Sequence, residues 1–482
     1  MIESVDLSQA MLGLCANGHH LDAPAPVSGQ KMTCPEGHVT RIIDALNGNH
    51  PSYRMYAKLV LHGDKKQYEA IDQFDLDLYS KAAERLRRTT SQDILKPTGH
   101  LEEGYNTRQA MRWGFVEWKQ FFNARQLYCL GLLGRAVRDL ETSAEREALC
   151  TLFSGTLEFN NMFCSFKGEG TGAVRHMFSH HILKPERTPL EAHPWGTPKS
   201  SGSFSTLFRS RILRAHNYKT DPHDIVFEHA ETDRRRGVSQ PLIDSTGRSW
   251  EVITGDAAKL PHQDNIFDLV ITDPPYFNNV NYSELADFFH VWLRNMKPYG
   301  GYASHRASTR DAAEVQDTDV DRFCEALRRV FVEAARVLKP EGLMAFSFHH
   351  GTANVWRAVA SALQAAGMAI TSVQPVKAEM STSSTKNRVK EPNDLDSIVV
   401  CRPVAAVTKT DAKSPEESAR VAEARLATLR QADISVGLGD VRSVVTGSVI
   451  ATATLPSQTA DLETLTVRAE ELAETVCQKW TL

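Results

Sequence analysis

One stretch, Asp268-Leu-Val-Ile-Thr-Asp-Pro-Pro-Tyr276, constrains this chain more than any other. Leu269, Val270 and Ile271 form a continuous apolar run of the kind that fills a strand buried on both faces in a parallel sheet covered by helices. Pro274 and Pro275 cannot donate ladder hydrogen bonds, so the strand must stop there. Asp273 and Tyr276 are then presented just past the carboxyl end of a strand, where open α/β sheets take their ligands.

These residue types suit one chemistry. A conjugated exocyclic amine is a poor nucleophile, and acceptors that take its two N–H bonds return electron density to the nitrogen. The Asp273 carboxylate and the Pro274 carbonyl supply two such acceptors, and the Tyr276 ring supplies a face on which a flipped-out base can stack. The plainer alternative is a Pro-Pro turn after a buried strand.

The amino terminus repeats a knuckle, Cys15-Ala-Asn-Gly-His19 and Cys34-Pro-Glu-Gly-His38. Two thiolates and two imidazoles make a closed tetrahedral site for structural zinc, with His20 as an alternative to His19, and the glycine before each His permits the tight turn. Eight scattered cysteines point to reduced thiols rather than a disulfide framework. With 55 basic and 59 acidic residues, any contact with nucleic acid must rest on a local basic patch. There is no membrane-length apolar run and no signal-peptide pattern, so a cytoplasmic protein without membrane contact is expected.

Four segments are expected: a zinc ribbon at 1–42, a small β-rich module and helical region at 43–150, a doubly wound α/β domain at 151–403, and a helical tail at 404–482. Within them, Tyr53–Leu61 reads as a strand, Asp75–Arg88 as a helix ending on Arg85, Arg87 and Arg88, and Trp118–Leu140 as one long helix. The segment 159–214 interleaves Phe166, Arg175, Phe178, Lys184, Arg187, Trp195 and Lys199, which suits either nucleic-acid contact or an irregular loop over the sheet. It also holds the glycine-rich run Gly168-Glu-Gly-Thr-Gly172. From Ser249 the doubly wound pattern is plain: a strand at Trp250–Thr254 with Gly255-Asp-Ala257 at its end, the Asp-Pro-Pro-Tyr strand, and an amphipathic helix carrying Leu285, Phe288, Phe289, Trp292, Leu293 and Met296. Asp319 caps a helix to Leu338, Leu343–Phe348 is a buried strand, and Met368–Val376 with Ser397–Cys401 reads as an antiparallel edge hairpin. Pro415–Ala432 and Leu462–Trp480 read as tail helices.

Asp-Pro-Pro-Tyr is the signature of amino-group methyltransferases that use S-adenosylmethionine, and its Asp form resembles the adenine N6 subclass. Over most of its length the chain resembles the large adenine-specific DNA methylases that carry a zinc ribbon, most specifically at Thr156-Leu-Glu-Phe-Asn-Asn-Met-Phe163, Gly255-Asp-Ala257, Thr272-Asp-Pro-Pro-Tyr-Phe-Asn-Asn-Val-Asn-Tyr-Ser-Glu-Leu285 and Lys390-Glu-Pro-Asn-Asp-Leu-Asp396. The resemblance implies a Rossmann-like methyltransferase sheet and a modification or defence role. It makes Asp273, Pro274, Pro275 and Tyr276 the catalytic stretch. Gly255, Asp256, Ala257 and Asp273 would meet the cofactor, and Asn278, Asn279 and Tyr282 would line the substrate pocket.

The chain departs from that family in lacking the Asp-Pro-Phe-x-Gly-Gly-Gly type loop that embraces the methionine half of the cofactor. Backbone N–H groups at such a turn hold the cofactor's carboxylate and ribose. Three explanations stay open: a second subunit or a homodimer partner completes the site, Gly168–Gly172 substitutes for the loop, or the chain is a non-catalytic DNA-recognition subunit that keeps the fold.

Overall fold

The computed structural model describes residues 2–10, 13–21, 27–28, 30–167, 174–180, 183–221, 223–228, 231–236, 252–253, 255–277, 281–378, 394–408, 414–456 and 460–481. The chain is mixed α/β and forms two compact units, Met1–Trp250 with Tyr282–Arg310, and Glu251–Asn281 with Asp311–Leu482. Among the described residues no helix is long and apolar enough to cross a membrane.

In the first unit an antiparallel sheet runs in the order Leu190–Ala192, Ile2–Ala10, Ser52–His62, Lys65–Ala70. The expected strand and turn at Tyr53–Lys65 are present, with Ile2–Ala10 paired alongside. The helix Gln73–Arg88 is closed at its start by a capping box between Asp72 and Asp75. Lys58, in the neighbouring strand, reaches both carboxylates, at 3.1 Å from Asp72 and 2.7 Å from Asp75. The helix expected over Trp118–Leu140 is two elements, a single turn at Trp118–Phe121 and a helix at Ala124–Arg138. Asn123 separates them because its side chain accepts the Gln126 N–H and caps the second. Phe288, Val291, Trp292 and Met296 of the Tyr282–Met296 helix are buried among Phe115, Phe121, Phe122 and Phe153.

The second unit holds a four-stranded sheet of mixed orientation, ordered Phe267–Thr272, Leu338–Phe348, Leu395–Pro403, Met368–Lys377. The first two strands are parallel and the last two form the expected antiparallel hairpin. Asp319 caps the helix Val320–Val337 by accepting from the Asp321 and Arg322 amides. At the far end of that helix, Arg336 grips the backbone carbonyls of Leu260 and His262 and the carboxylate of Asp264, fixing the approach to the Phe267–Thr272 strand.

One face of this sheet is covered. Val270, Met344, Phe346, Phe348, Val399 and Cys401 pack against the helices Val320–Val337, Ala353–Ala365, Pro415–Gln431, Leu438–Ala451 and Leu462–Thr481. The opposite face is different. Strand register places Leu269, Ile271, Leu343, Ala345, Ile398 and Val400 on it. Leu269 is 49% exposed and Ile271 74% exposed.

That finding corrects the expectation of a strand buried on both faces. Phe267–Thr272 is an edge strand, and among the described residues nothing pairs with its free side. Of the strand expected at Trp250–Thr254, residues 250, 251 and 254 lie outside the described residues, and Val252 and Ile253 are irregular and exposed. A strand in that place needs a neighbour to satisfy its backbone, and none is present among the described residues.

Candidate functional sites

The Phe267–Thr272 strand ends immediately before Asp273, and the chain turns through Pro274 and Pro275 to bring Tyr276 back over the sheet. The parallel register that pairs Thr272 with Phe346 puts Ser347 beside Asp273, and the Ser347 hydroxyl donates to the Asp273 carboxylate. Tyr276 meets Phe348 edge-on, with ring centroids 5.5 Å apart, and His349 at 4.9 Å. His349 is hydrogen-bonded through Nδ1 to Asp396, which the antiparallel hairpin carries in from the next strand.

The corner is thus built from the ends of three strands. Burial, with the carboxylates of Asp396 and Asp273 nearby, holds the Tyr276 phenol above its ordinary value, so the hydroxyl stays protonated beside Ser347 and Asp273. Behind it, Phe277 packs into the core against Phe323, and burial holds the His350 imidazole below its ordinary value. Asp273 itself is exposed. A carboxylate presented to solvent next to a half-buried aromatic ring can accept hydrogen bonds from a planar ligand stacked on that ring.

Gly255, Asp256 and Ala257 stand apart in an exposed turn, where the Asp256 carboxylate accepts the Ala258 N–H. Asn278, Asn279 and Gly168–Gly172 lie outside the described residues. Tyr282, 59% exposed, opens the Tyr282–Met296 helix. Ser347, His349 and Asp396 were not singled out from sequence. Asp396 closes one of the quoted motifs, but its meeting with His349 depends on strand pairing across 47 positions.

Other sequence expectations resolve into structural roles. Asn160 and Asn161, inside the Thr156–Phe163 motif, are fully buried and tie the end of the Ser143–Leu157 helix through the carbonyls of Thr156, Leu157 and Gly202. Phe178 packs on Phe288 and Phe289, and Lys199 is held by Asp64. The Lys199 side chain stays 41% exposed in that pair.

The two amino-terminal knuckles fold alike. In each, the Cys amide bonds the His carbonyl and the glycine amide bonds the Cys carbonyl, at 2.8 to 2.9 Å. Gly18 and Gly37 have φ of 79° and 82°, the left-handed region that glycine enters without strain. Cys15, His19, Cys34 and His38 converge, with their ligand atoms all within 4.8 Å of one another. His19 Nδ1 lies 3.5 Å from Cys15 Sγ, and His38 Nδ1 lies 3.4 Å from Cys34 Sγ. Burial pushes the Cys15 thiol up, but the backbone amides around Asn17 and His19 outweigh it and leave the thiol below its ordinary value. His20 points elsewhere in the fold, exposed and paired along the backbone with Leu14. This Cys2His2 group can bind a metal ion such as zinc.

No family model, curated protein or solved structure matches the chain.

Proposed function

We propose that the protein is an S-adenosylmethionine-dependent methyltransferase of adenine N6 in DNA, working as one part of a split enzyme. The observation that carries this reading is the Asp273–Tyr276 corner at the carboxyl end of a parallel strand whose free side is unpaired among the described residues. Asp273 and the Pro274 carbonyl would accept the two N–H bonds of the target amine, and Tyr276 would stack on the base. Bound S-adenosylmethionine would supply the methyl group. The Asp273 carboxylate would take the proton that the amine gives up, and the Pro274 carbonyl would only hold the other N–H in place.

On this reading the four strands are the half of a Rossmann-like sheet that ends in an antiparallel hairpin. A second subunit, or a second copy of the chain, contributes the neighbouring strands and the glycine-rich loop for the methionine end of the cofactor. Gly255–Ala257 settles against the cofactor only when that strand is in place. The Cys2His2 group holds a structural zinc, because four protein ligands leave no open position for catalysis.

The irregular, exposed residues Val252, Ile253 and Gly255–Ala257 favour a second reading, a non-catalytic DNA-recognition subunit. Calorimetric titration with S-adenosylmethionine separates the two. Weak or absent binding to the chain alone, restored with a partner that carries the loop and accompanied by N6-methyladenine in digested DNA, is the outcome of a split enzyme. Absence of methylation with every such partner leaves the recognition subunit.

A further inference from the structure

The first unit carries an element that its fold does not use. The residues Phe204–Leu207, Phe208–Leu213 and Arg214–Thr220 run on as one helical segment with a π-helical turn in the middle. Its start is anchored: Phe204 and Leu207 are buried, Phe208 and Ile212 lean on the same core, and Arg211 bonds Glu158 at 3.2 Å. Beyond Ile212 burial ends. Every residue from Leu213 to Asp221 is exposed, including Leu213 at 42% and Tyr218 at 47%. A helix with no buried face draws nothing from tertiary packing, and short helices are marginal without it.

Its charge is as one-sided as its exposure. Between Phe204 and Thr220 the sequence has Arg209, Arg211, Arg214 and Lys219 and no acidic residue, four positive charges within a chain whose net charge is −4. Among the described residues no ion pair holds Arg209, Arg214 or Lys219. The chain then enters a hairpin, His223–Glu228 with Glu231–Arg236, whose register pairs His223 with Arg236, Asp224 with Arg235 and Ile225 with Arg234. The register therefore sets the backbone of Arg234, Arg235 and Arg236 alongside Ile225, Asp224 and His223, in a hairpin that also carries Glu228, Glu231 and Asp233.

We infer that this segment is an arm that grips the sugar-phosphate backbone of duplex DNA. The inference rests on DNA being the substrate, and it extends that reading by assigning a backbone contact to residues other than those of the Asp273 corner, ones that need no cofactor. A polyanion supplies the charge complement that the fold leaves unmet, and neutralising phosphates releases condensed counterions, so binding must weaken steeply with salt. The π-helical turn is a common mark of functional segments.

The test is fluorescence anisotropy of a labelled 30-base-pair duplex with the full chain, comparing wild type with the combined variant Arg209→Ala, Arg214→Ala, Lys219→Ala. The variant is expected to bind at least tenfold more weakly at low salt. Its log–log salt slope should be shallower by about 2 to 3, since each lost phosphate contact removes roughly 0.9. A control with the same change in charge, Arg420→Ala, Arg468→Ala, Lys479→Ala, should bind like wild type.

Thermal melting of both variants must match wild type, which the exposure of the arm leads one to expect. The inference is overturned if wild type does not bind the duplex, if the arm variant binds equally well, or if the control loses as much. It is also overturned if the arm prefers an RNA hairpin or phosphatidylserine vesicles to DNA. Methylation is read separately: DNA binding that depends on the arm, without methyl transfer under any partner, leaves the arm standing and removes the enzyme.

Discussion

His349 and Asp396 are locked together through a hydrogen bond at Nδ1, and the pair forms the wall against which Tyr276 stands. The bond fixes the imidazole in one orientation and so fixes the surface that the tyrosine ring meets. Asp396→Asn keeps the shape but weakens the bond, and is expected to lower methyl transfer several-fold with little change in melting temperature. His349→Ala, which removes the wall, should cost more. Comparison of single-turnover rates with melting curves checks both.

Asp273→Ala should abolish methyl transfer while leaving the fold intact, because the side chain is exposed and its loss strips only the Ser347 and Tyr276 hydroxyls of a partner. Tyr276→Ala should be severe and Tyr276→Phe milder, since stacking needs the ring. The elevated Tyr276 pKa adds a pH expectation. The phenol does not ionise near its ordinary value of 10.0, so the alkaline side of the rate profile should show no limb from this group. Appearance of one that vanishes in Tyr276→Phe would contradict the burial described.

Protein purified without chelator should contain about one zinc per chain, and Cys34→Ser should lose it. The small core around the site consists of Leu21, Met32, Ile42, Ala45 and Leu46 with the two cysteines, too little apolar surface to fold unaided. Chelation is therefore expected to open this region to proteolysis while the rest of the chain resists.

Lys58 and its two carboxylates give a stability profile with two edges. The Asp75 hydrogen bond is the main reason the Lys58 amine lies above its ordinary 10.5, and a raised amine stabilises fully below that value and loses its contribution as pH climbs through the folded one. Asp72 lies below its ordinary 3.8, chiefly through the Asp75 amide, so its contribution is present above that value and is lost as pH falls through the folded one. Melting temperature should therefore lose the pair's contribution at both ends of a plateau between about pH 5 and pH 10. In Lys58→Met that difference from wild type should shrink at the two extremes.

Gly447 lies under the Trp356 indole, and a Cβ there would come within 2.7 Å of ring carbons. Trp356 is 1% exposed and cannot yield. Gly447→Ala is expected to destabilise the second unit by about 1–3 kcal/mol, the usual cost of overpacking, measured by denaturant melts. Ile271→Asp is the opposite case. At 74% exposure it should leave the stability of the isolated chain unchanged yet block association with the proposed second subunit.

Much of this was legible in the sequence and some was not, for reasons that differ by residue. The strand before Asp273, its proline stop and the capped helix after Asp319 follow from local chemistry, and they stand where expected. The Leu438–Ala451 helix escaped notice because Val441, Val444, Val445, Thr446, Gly447 and Val449 have poor helix propensity and no polar stripe, and burial on nearly every side overrides both. Periodicity ran Trp118 and Leu140 together because the Asn123 cap is a single residue inside an apolar pattern. Burial of Leu269 and Ile271 was inferred from composition, yet composition describes the environment a strand is suited to, not whether a neighbour is present. The His349–Asp396 contact has no local signal at all.

The bare edge of the Phe267–Thr272 strand also bears on how the protein has to be made. An apolar edge strand is a template for another copy of itself, and among the described residues nothing along Leu269–Ile271 guards it except Asp268, which is already tied to Lys339. Chain produced in excess should therefore precipitate by strand pairing. If the proposed second subunit covers that edge, solubility in a cell becomes a matter of stoichiometry, met when the two are synthesised in equal amount.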